Sequence, residues 1–114
     1  MIRLQLPLPP SGNRSSRHGK GRHYTPEPVK AYREIVFASR NRKTETIKGD
    51  VALDITVLPW RAGGIDLDNR LKVLLDSLQH AGYYTNDKNV ALIVVRRGEV
   101  MRPHGAVIVE IEEL

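Results

Sequence analysis

The 114-residue sequence predicts an α/β domain of the α+β kind, in which a mixed sheet packs against two helices. Two segments place apolar residues at helical spacing, and four others alternate or concentrate apolar residues as strands do. Their order is β-α-β-α-β-β without an internal repeat, and the connections are short enough for one folding unit. Because domains commonly contain about 100–150 residues, we expect a single domain over residues 1–114.

The first predicted strand is IRLQLPL, residues 2–8, and the two prolines that follow it end it. A loop over about residues 10–24 comes next, and its length predicts that it is functional or mobile. The loop carries these cations among glycines and serines: Arg14, Arg17, Lys20 and Arg22.

The first helix is predicted from TPEPVKAYREIVFASRNRK, residues 25–43. Thr25 is its expected N-cap and Pro26 its expected first residue, because a hydroxyl can accept from exposed amides and proline lacks an N–H. The second strand is DVALDITVLPW, residues 50–60, whose alternation predicts a strand buried on one face.

The second helix is expected from about Asp68 to Ala81, since four leucines fall at helical spacing and Gly82 suits the position after its end. The turn YYTNDKN then leads to two strands, ALIVV at 91–95 and AVIVEIEE at 106–113. Their short connection predicts that they form an antiparallel hairpin.

Charge is unevenly distributed along the chain. Residues 1–48 contain 11 Lys and Arg against 3 Asp and Glu, whereas residues 49–114 contain 7 against 10. The net charges of +8 and −3 indicate a surface for a polyanion built from the first part, or else cations that only solvate helix faces. The sequence has no cysteine, no signal-like apolar run and no stretch of ~20 apolar residues. We therefore expect a cytoplasmic protein without disulfides, thiolate metal sites or a membrane segment.

The segment GGIDLDNRLK places two carboxylates in this basic protein. Asp66 and Asp68 point to the same side if the segment is extended. One interpretation is structural, with Asp68 capping the helix and Lys72 forming an ordinary ion pair. The other is a Mg²⁺ site, since Mg²⁺ binds one or two carboxylates together with phosphate oxygens and waters.

A third carboxylate, Asp87, lies in the turn after the same predicted helix. A helix of about fourteen residues is ~21 Å long, so Asp87 at its far end cannot meet Asp66 along one rigid helix. Either the chain turns back beside the helix, or a second subunit supplies one of the ligands.

The segments PLPPSGNRSSRH, DLDNRLKVLLDSLQHAG and NDKNV together resemble the RusA-type Holliday junction resolvases, which are small and often prophage-borne endonucleases. The resemblance implies that Asp66, Asp68 and Asp87 bind the metal ion and that Lys72 supports catalysis or DNA binding. It also implies a homodimer that uses Mg²⁺ or Mn²⁺ to make paired nicks in four-way DNA junctions during recombination and repair. The four basic loop residues named above then become candidate phosphate contacts, with Lys72 as a fifth.

Two positions depart from the family pattern. Asn86 stands where relatives often have the first acid of a pair, and Arg61 alone precedes the motif where some relatives have a run of arginines. Two other functions therefore stay open: a nuclease of broader taste for branched or flap DNA, and a non-catalytic DNA-binding module. Asn69 is expected to orient an aspartate or cap the helix.

Overall fold

The computed structural model describes residues 1–11, 17–19, 22–24, 27–63 and 65–114, with residues 17–19 and 22–24 described as backbone only. The described part contains six strands and two α-helices, together with short 3-10 turns at Asp68–Arg70 and Asp87–Asn89. The elements in chain order are β1 (Ile2–Leu6), β2 (Arg17–Gly19), β3 (Arg22–Tyr24), α1 (Glu27–Ser39), β4 (Val51–Leu58), α2 (Leu71–Ala81), β5 (Val90–Arg97) and β6 (Ala106–Glu113). The predicted small α+β domain with a mixed sheet and two helices is confirmed.

The main sheet has the strand order β1-β6-β4-β5. β4 pairs with β5 in parallel and with β6 antiparallel, and β6 pairs antiparallel with β1. β4, α2 and β5 thus form a β-α-β unit, in which a helix carries the chain back so that the second strand runs in the same direction.

The predicted hairpin between the last two strands is wrong. After β5, the backbone N–H of Gly98 donates to Val57 O at 2.8 Å, and that of Met101 donates to Pro59 O at 2.8 Å. These bonds lead the connection across the end of β4, so that β6 enters the sheet on the other side of β4. A short connection usually favours a hairpin, but here β4 lies between β5 and β6, the two strands that the connection joins.

The predicted loop also contains regular structure, because β2 and β3 pair antiparallel as a separate two-stranded sheet. The expected cap and first residue of the first helix, Thr25 and Pro26, lie outside the described residues. The end of α2 is as expected: Gly82 adopts a left-handed conformation, with φ of 90°.

One hydrophobic core lies between the two helices and one face of the sheet. β4 buries every second residue, as its alternation predicts, and the same face of β6 is buried. Each helix contributes an apolar stripe, led by Val36 on α1 and by Leu74 and Leu78 on α2. The opposite face of the sheet carries the Arg96–Asp54 ion pair at 3.1 Å, and also the exposed side chains of Leu92 and Val94. Among the helices in the described ranges, none is long and apolar enough to cross a membrane.

Candidate active site

Asp66 lies where the carboxyl ends of β4 and β5 meet the start of α2. It follows β4 and lines a mostly apolar cavity together with Val57 of β4, Val95 of β5 and Leu74 of α2. Asp66 is itself exposed. The parallel β4–β5 pair therefore presents this aspartate at the end of the sheet, where polar loops can surround a ligand.

The segment after β1 holds the DLDN segment in place. The Asn69 Nδ2 donates to Ser11 Oγ at 2.9 Å, and the Arg70 Nη1 donates to Pro9 O at 2.6 Å. Asn69 thus binds neither an aspartate nor a helix amide within the described residues, contrary to our expectation, because Ser11 lies beside it. Two motifs that are more than 50 residues apart in sequence, PPS and DLDN, therefore form one unit.

Arg70 is a further residue of the site that no motif or spacing in the sequence marked. Its guanidinium group lies 5.5 Å from the centre of the Trp60 ring, and the guanidinium of Arg61 lies at the same distance from that ring. The adjacency of Trp60 and Arg61 in sequence gave no sign that a second arginine would approach the ring from the DLDN segment.

Asp68 does not cap α2, which corrects the structural interpretation of this residue. It is the first residue of the 3-10 turn Asp68–Arg70, and the residues at the N-cap positions of that turn and of α2 have helical backbone angles. Side-chain capping requires an extended conformation at the cap position, so no side-chain cap bond forms at either position in the described chain. The Asp68 carboxylate is exposed and remains available to a ligand.

An open groove runs along one side of α2. Its volume is about 360 Å³, and the charged residues that line it are Asp68, Lys72, Asp76 and Asp87. The first three follow one another at intervals of four residues and so share a helix face. Lys72 Nζ lies 3.5 Å from Asp76 Oδ2, an exposed ion pair of the kind expected for this spacing. The groove therefore joins the DLDN segment to the turn after α2.

The chain does turn back beside α2 after Gly82. The hydroxyl of the buried Tyr84 donates to Leu75 O at 2.9 Å, so this side chain lies back along α2. Burial raises the pKa of Tyr84, and the negative charges of Asp87 and Asp76 raise it further. Both aspartates are therefore close enough to the phenol to act on it, and the phenol stays protonated as a donor.

Asp87 is held by its own turn and by α2. The Asn86 side chain accepts a hydrogen bond from the Lys88 N–H at 2.9 Å and so caps the 3-10 turn that begins at Asp87. The Gln79 carboxamide faces the Asp87 carboxylate. In the amide orientation that points the Gln79 Nε2 at this carboxylate, the nitrogen donates to Oδ1 at 2.5 Å and to Oδ2 at 3.3 Å. Asn86 thus has a structural task in this chain.

The three aspartates are not gathered into one cluster within a single chain. Asp68 and Asp87 line the groove, whereas Asp66 lines the cavity at the end of the sheet. The described residues contain no group of three acidic or histidine side chains close enough together to hold a metal ion. The donor chemistry nevertheless suits Mg²⁺, which takes one or two carboxylates and completes its shell with waters and phosphate oxygens.

The basic residues of the predicted loop are only partly placed. Arg14 and Lys20 lie outside the described residues, and Arg17 and Arg22 belong to β2 and β3, which are described as backbone. Their role as phosphate contacts stays a prediction. Tyr83, an aromatic residue that could otherwise have stacked on a DNA base, is buried. Its hydroxyl shares a hydrogen bond of 3.0 Å with Ser39 Oγ, so it belongs to the core.

Comparison with known proteins gives a consistent result. Residues 7–112 match the sequence model of the endodeoxyribonuclease RusA family. The chain is also similar to proteins named crossover junction endodeoxyribonuclease RusA from Escherichia coli, from Shigella sonnei and from Enterobacteria phage 82. Each is 34% identical over 92 residues, which cover 76% of this chain and 74% of the relative.

Proposed function

The chain belongs to the endodeoxyribonuclease RusA family and is a nuclease, and from this membership we propose that it resolves four-way DNA junctions by paired symmetric nicks. The observation that carries the proposal is the groove shared by Asp68, Lys72 and Asp87, which begins at the DLDN segment. Exposed carboxylates on a basic protein, such as Asp68 and Asp87, suit the binding of a cation that bridges to phosphate.

Nucleases of this family depend on a divalent metal ion, and we assign Mg²⁺ to this chain, with Mn²⁺ as a substitute. Asp66, Asp68 and Asp87 are the residues that would hold it. When bound, such an ion lowers the pKa of a coordinated water and stabilises charge on the phosphate during hydrolysis.

The other side chains of the site act on the DNA. Lys72 is largely exposed and lines the groove beside Asp68. In this proposal its ammonium group neutralises a non-bridging phosphate oxygen. The basic segment around β2 and β3, with Arg14, Arg17, Lys20 and Arg22, would contact phosphates away from the cut and raise affinity without selecting sequence.

A homodimer is part of this proposal, because paired nicks in a two-fold symmetric junction require two related sites. β5 is the outer strand of the sheet on its side, and Leu92, Ile93 and Val94 on it are exposed. A long apolar edge strand with unpaired backbone groups is a natural place for a second copy to pair. We therefore place the dimer contact along β5.

Two β5 strands that pair about a two-fold axis run antiparallel. This arrangement determines where Asp87 of one subunit lies relative to Asp66 of the other. Asp87 precedes β5, whereas Asp66 lies beside its carboxyl end. Antiparallel pairing brings the amino end of the partner's strand toward the carboxyl end of this one. We propose that the partner's Asp87 completes the ligand set of Asp66 and Asp68, which is the second of the two routes left open by the sequence.

The setting that fits this activity is DNA recombination and repair in the cytoplasm of a bacterial cell. One of the similar proteins comes from a phage, which agrees with a gene carried by a prophage.

The decisive experiment incubates purified protein with a synthetic four-way junction, a flap and a linear duplex, with Mg²⁺ or with a chelator. We expect symmetrical nicks in the junction only when Mg²⁺ is present. Equal cutting of all three DNAs would instead identify a nuclease of broader substrate specificity. Tight binding to the junction without cutting under any metal condition would identify a DNA-binding module.

A further inference from the structure

A second open pocket lies beside the candidate active site, at the carboxyl ends of β4 and β5. Its volume is about 310 Å³, and it is lined by residues that follow β4 and by residues at the end of β5. Among the described residues that line it, Arg61 and Arg97 are charged and none is acidic. The pocket is therefore a cationic hollow in the part of the chain whose net charge is negative.

The backbone of this pocket is held firmly in place. The connection after β5 is tied to the one after β4 by the bonds from Gly98 to Val57 and from Met101 to Pro59, both of 2.8 Å. Gly98 fits closely, since a Cβ at this position would lie 2.7 Å from the Leu58 Cδ2. The two cations thus project from walls that are fixed to each other.

Arg61 is oriented by the ring of Trp60, which lies 5.5 Å from its guanidinium carbon. A guanidinium group that lies over a ring keeps its N–H groups free at the edge. Trp60 is fixed in turn by Arg70, whose guanidinium lies at the same distance from the ring and also donates to Pro9 O. Arg61 is exposed and makes no ion pair with the described residues.

Arg97 lies on the helix-bearing face of the sheet. It is opposite Val57 in the β4–β5 register and two residues beyond Val95, and side chains two apart on a strand share a face. Val95 lines the same cavity as Asp66. The pocket therefore lies on the side of the sheet end where Asp66 is. Arg97 makes no ion pair with the described residues, whereas its neighbour Arg96 is bound to Asp54 on the other face.

We propose, on the basis of the function proposed above, that Arg61 and Arg97 bind a DNA backbone phosphate next to the one that is cut. Guanidinium groups present paired N–H donors that match phosphate oxygens. A phosphate bound in this pocket is a neighbour, along the DNA strand, of the phosphate that is cut. Binding it would attract the DNA and place the phosphate to be cut at Asp66 and Asp68.

The test compares the double variant Arg61→Ala, Arg97→Ala with a matched control, Arg3→Ala with Arg96→Ala, which also removes two positive charges but from the opposite face of the sheet. Binding of a four-way junction is measured in a chelator, from about 50 to about 200 mM salt. Each lost phosphate contact lowers the salt slope by about 0.9. The proposed dimer loses one such contact in each subunit, so we expect the double variant to lose nearly 2 from its slope and about tenfold in affinity at low salt. The control should match the parent protein in both measurements.

The variant Arg61→Lys, Arg97→Lys keeps the charge and should recover the salt slope, but only part of the affinity, because an ammonium group lacks the paired donors of a guanidinium group. This variant separates loss of cations from loss of fold. Equal binding by the double alanine variant and the control would overturn the phosphate assignment. Cutting of the junction by the parent protein in Mg²⁺ is measured in parallel. If the parent binds but does not cut, and the double variant still weakens binding, the proposed function fails while the phosphate site stands.

Discussion

Asp68 has no structural role in the described part of the chain. It lies at the start of a 3-10 turn, is exposed, and makes no cap bond within the described chain. An exposed carboxylate without a structural partner contributes little to folding stability. Its charge is therefore available to a cation, and so is that of Asp66.

This leads to the prediction that Asp68→Asn abolishes cutting and leaves the protein folded. The amide keeps the shape but is a poor ligand for Mg²⁺, and the loss of one negative charge should preserve or tighten junction binding. Cleavage assays, binding assays and thermal unfolding of the same preparation measure the three properties. Asp54→Asn, on the opposite face of the sheet, is the control and should still cut. A fall in melting temperature for Asp68→Asn alone would point to a structural role.

At the scale of elements, periodicity predicted where helices and strands lie but not which strands are neighbours. β4 and α2 occupy nearly the predicted ranges, because their alternation and leucine spacing determine which face is buried. The VALIVV run of β5 looks like an interior strand, yet β5 is an edge strand and much of it is exposed. The pairing depends on the connection from β5 to β6, whose hydrogen bonds to the end of β4 involve backbone atoms that leave no pattern in the sequence.

The end of that connection supplies a stability prediction. Gly105 has φ of 72°, and a Cβ there would lie 2.6 Å from both Leu58 O and Leu8 Cδ1. Gly105→Ala should therefore destabilise the protein by roughly 1–3 kcal/mol, since left-handed backbone strain and a clash with a carbonyl add together. Chemical denaturation gives the free energy of unfolding. Gly49→Ala is the matched control, because open space surrounds that position, and it should change stability little.

At the scale of the whole molecule, the sequence predicted candidate site residues but not how the fold arranges them. The tie between the PPS and DLDN segments depends on Asn69, Arg70 and the chain that follows β1, and nothing in the spacing of these segments foretold their contact. The return of the chain along α2 was one of two routes left open, and it brings Asp87 into the groove without completing a three-carboxylate cluster in the described residues. A second subunit can supply the missing carboxylate.

Mixed dimers distinguish a shared site from a site within one chain. Asp68→Asn and Asp87→Asn proteins should each be inactive alone. If the partner's Asp87 completes the site, a dimer with one chain of each kind has one site with both replacements and one site with none. Unfolding the two proteins together and refolding them should then restore single nicks in a four-way junction. If each site lies within one chain, both sites of the mixed dimer carry a replacement, and the mixture should stay inactive. A second mixture, Asp66→Asn with Asp68→Asn, is the control. These aspartates belong to the same chain in either arrangement, so its failure to cut would exclude recovery caused by refolding alone.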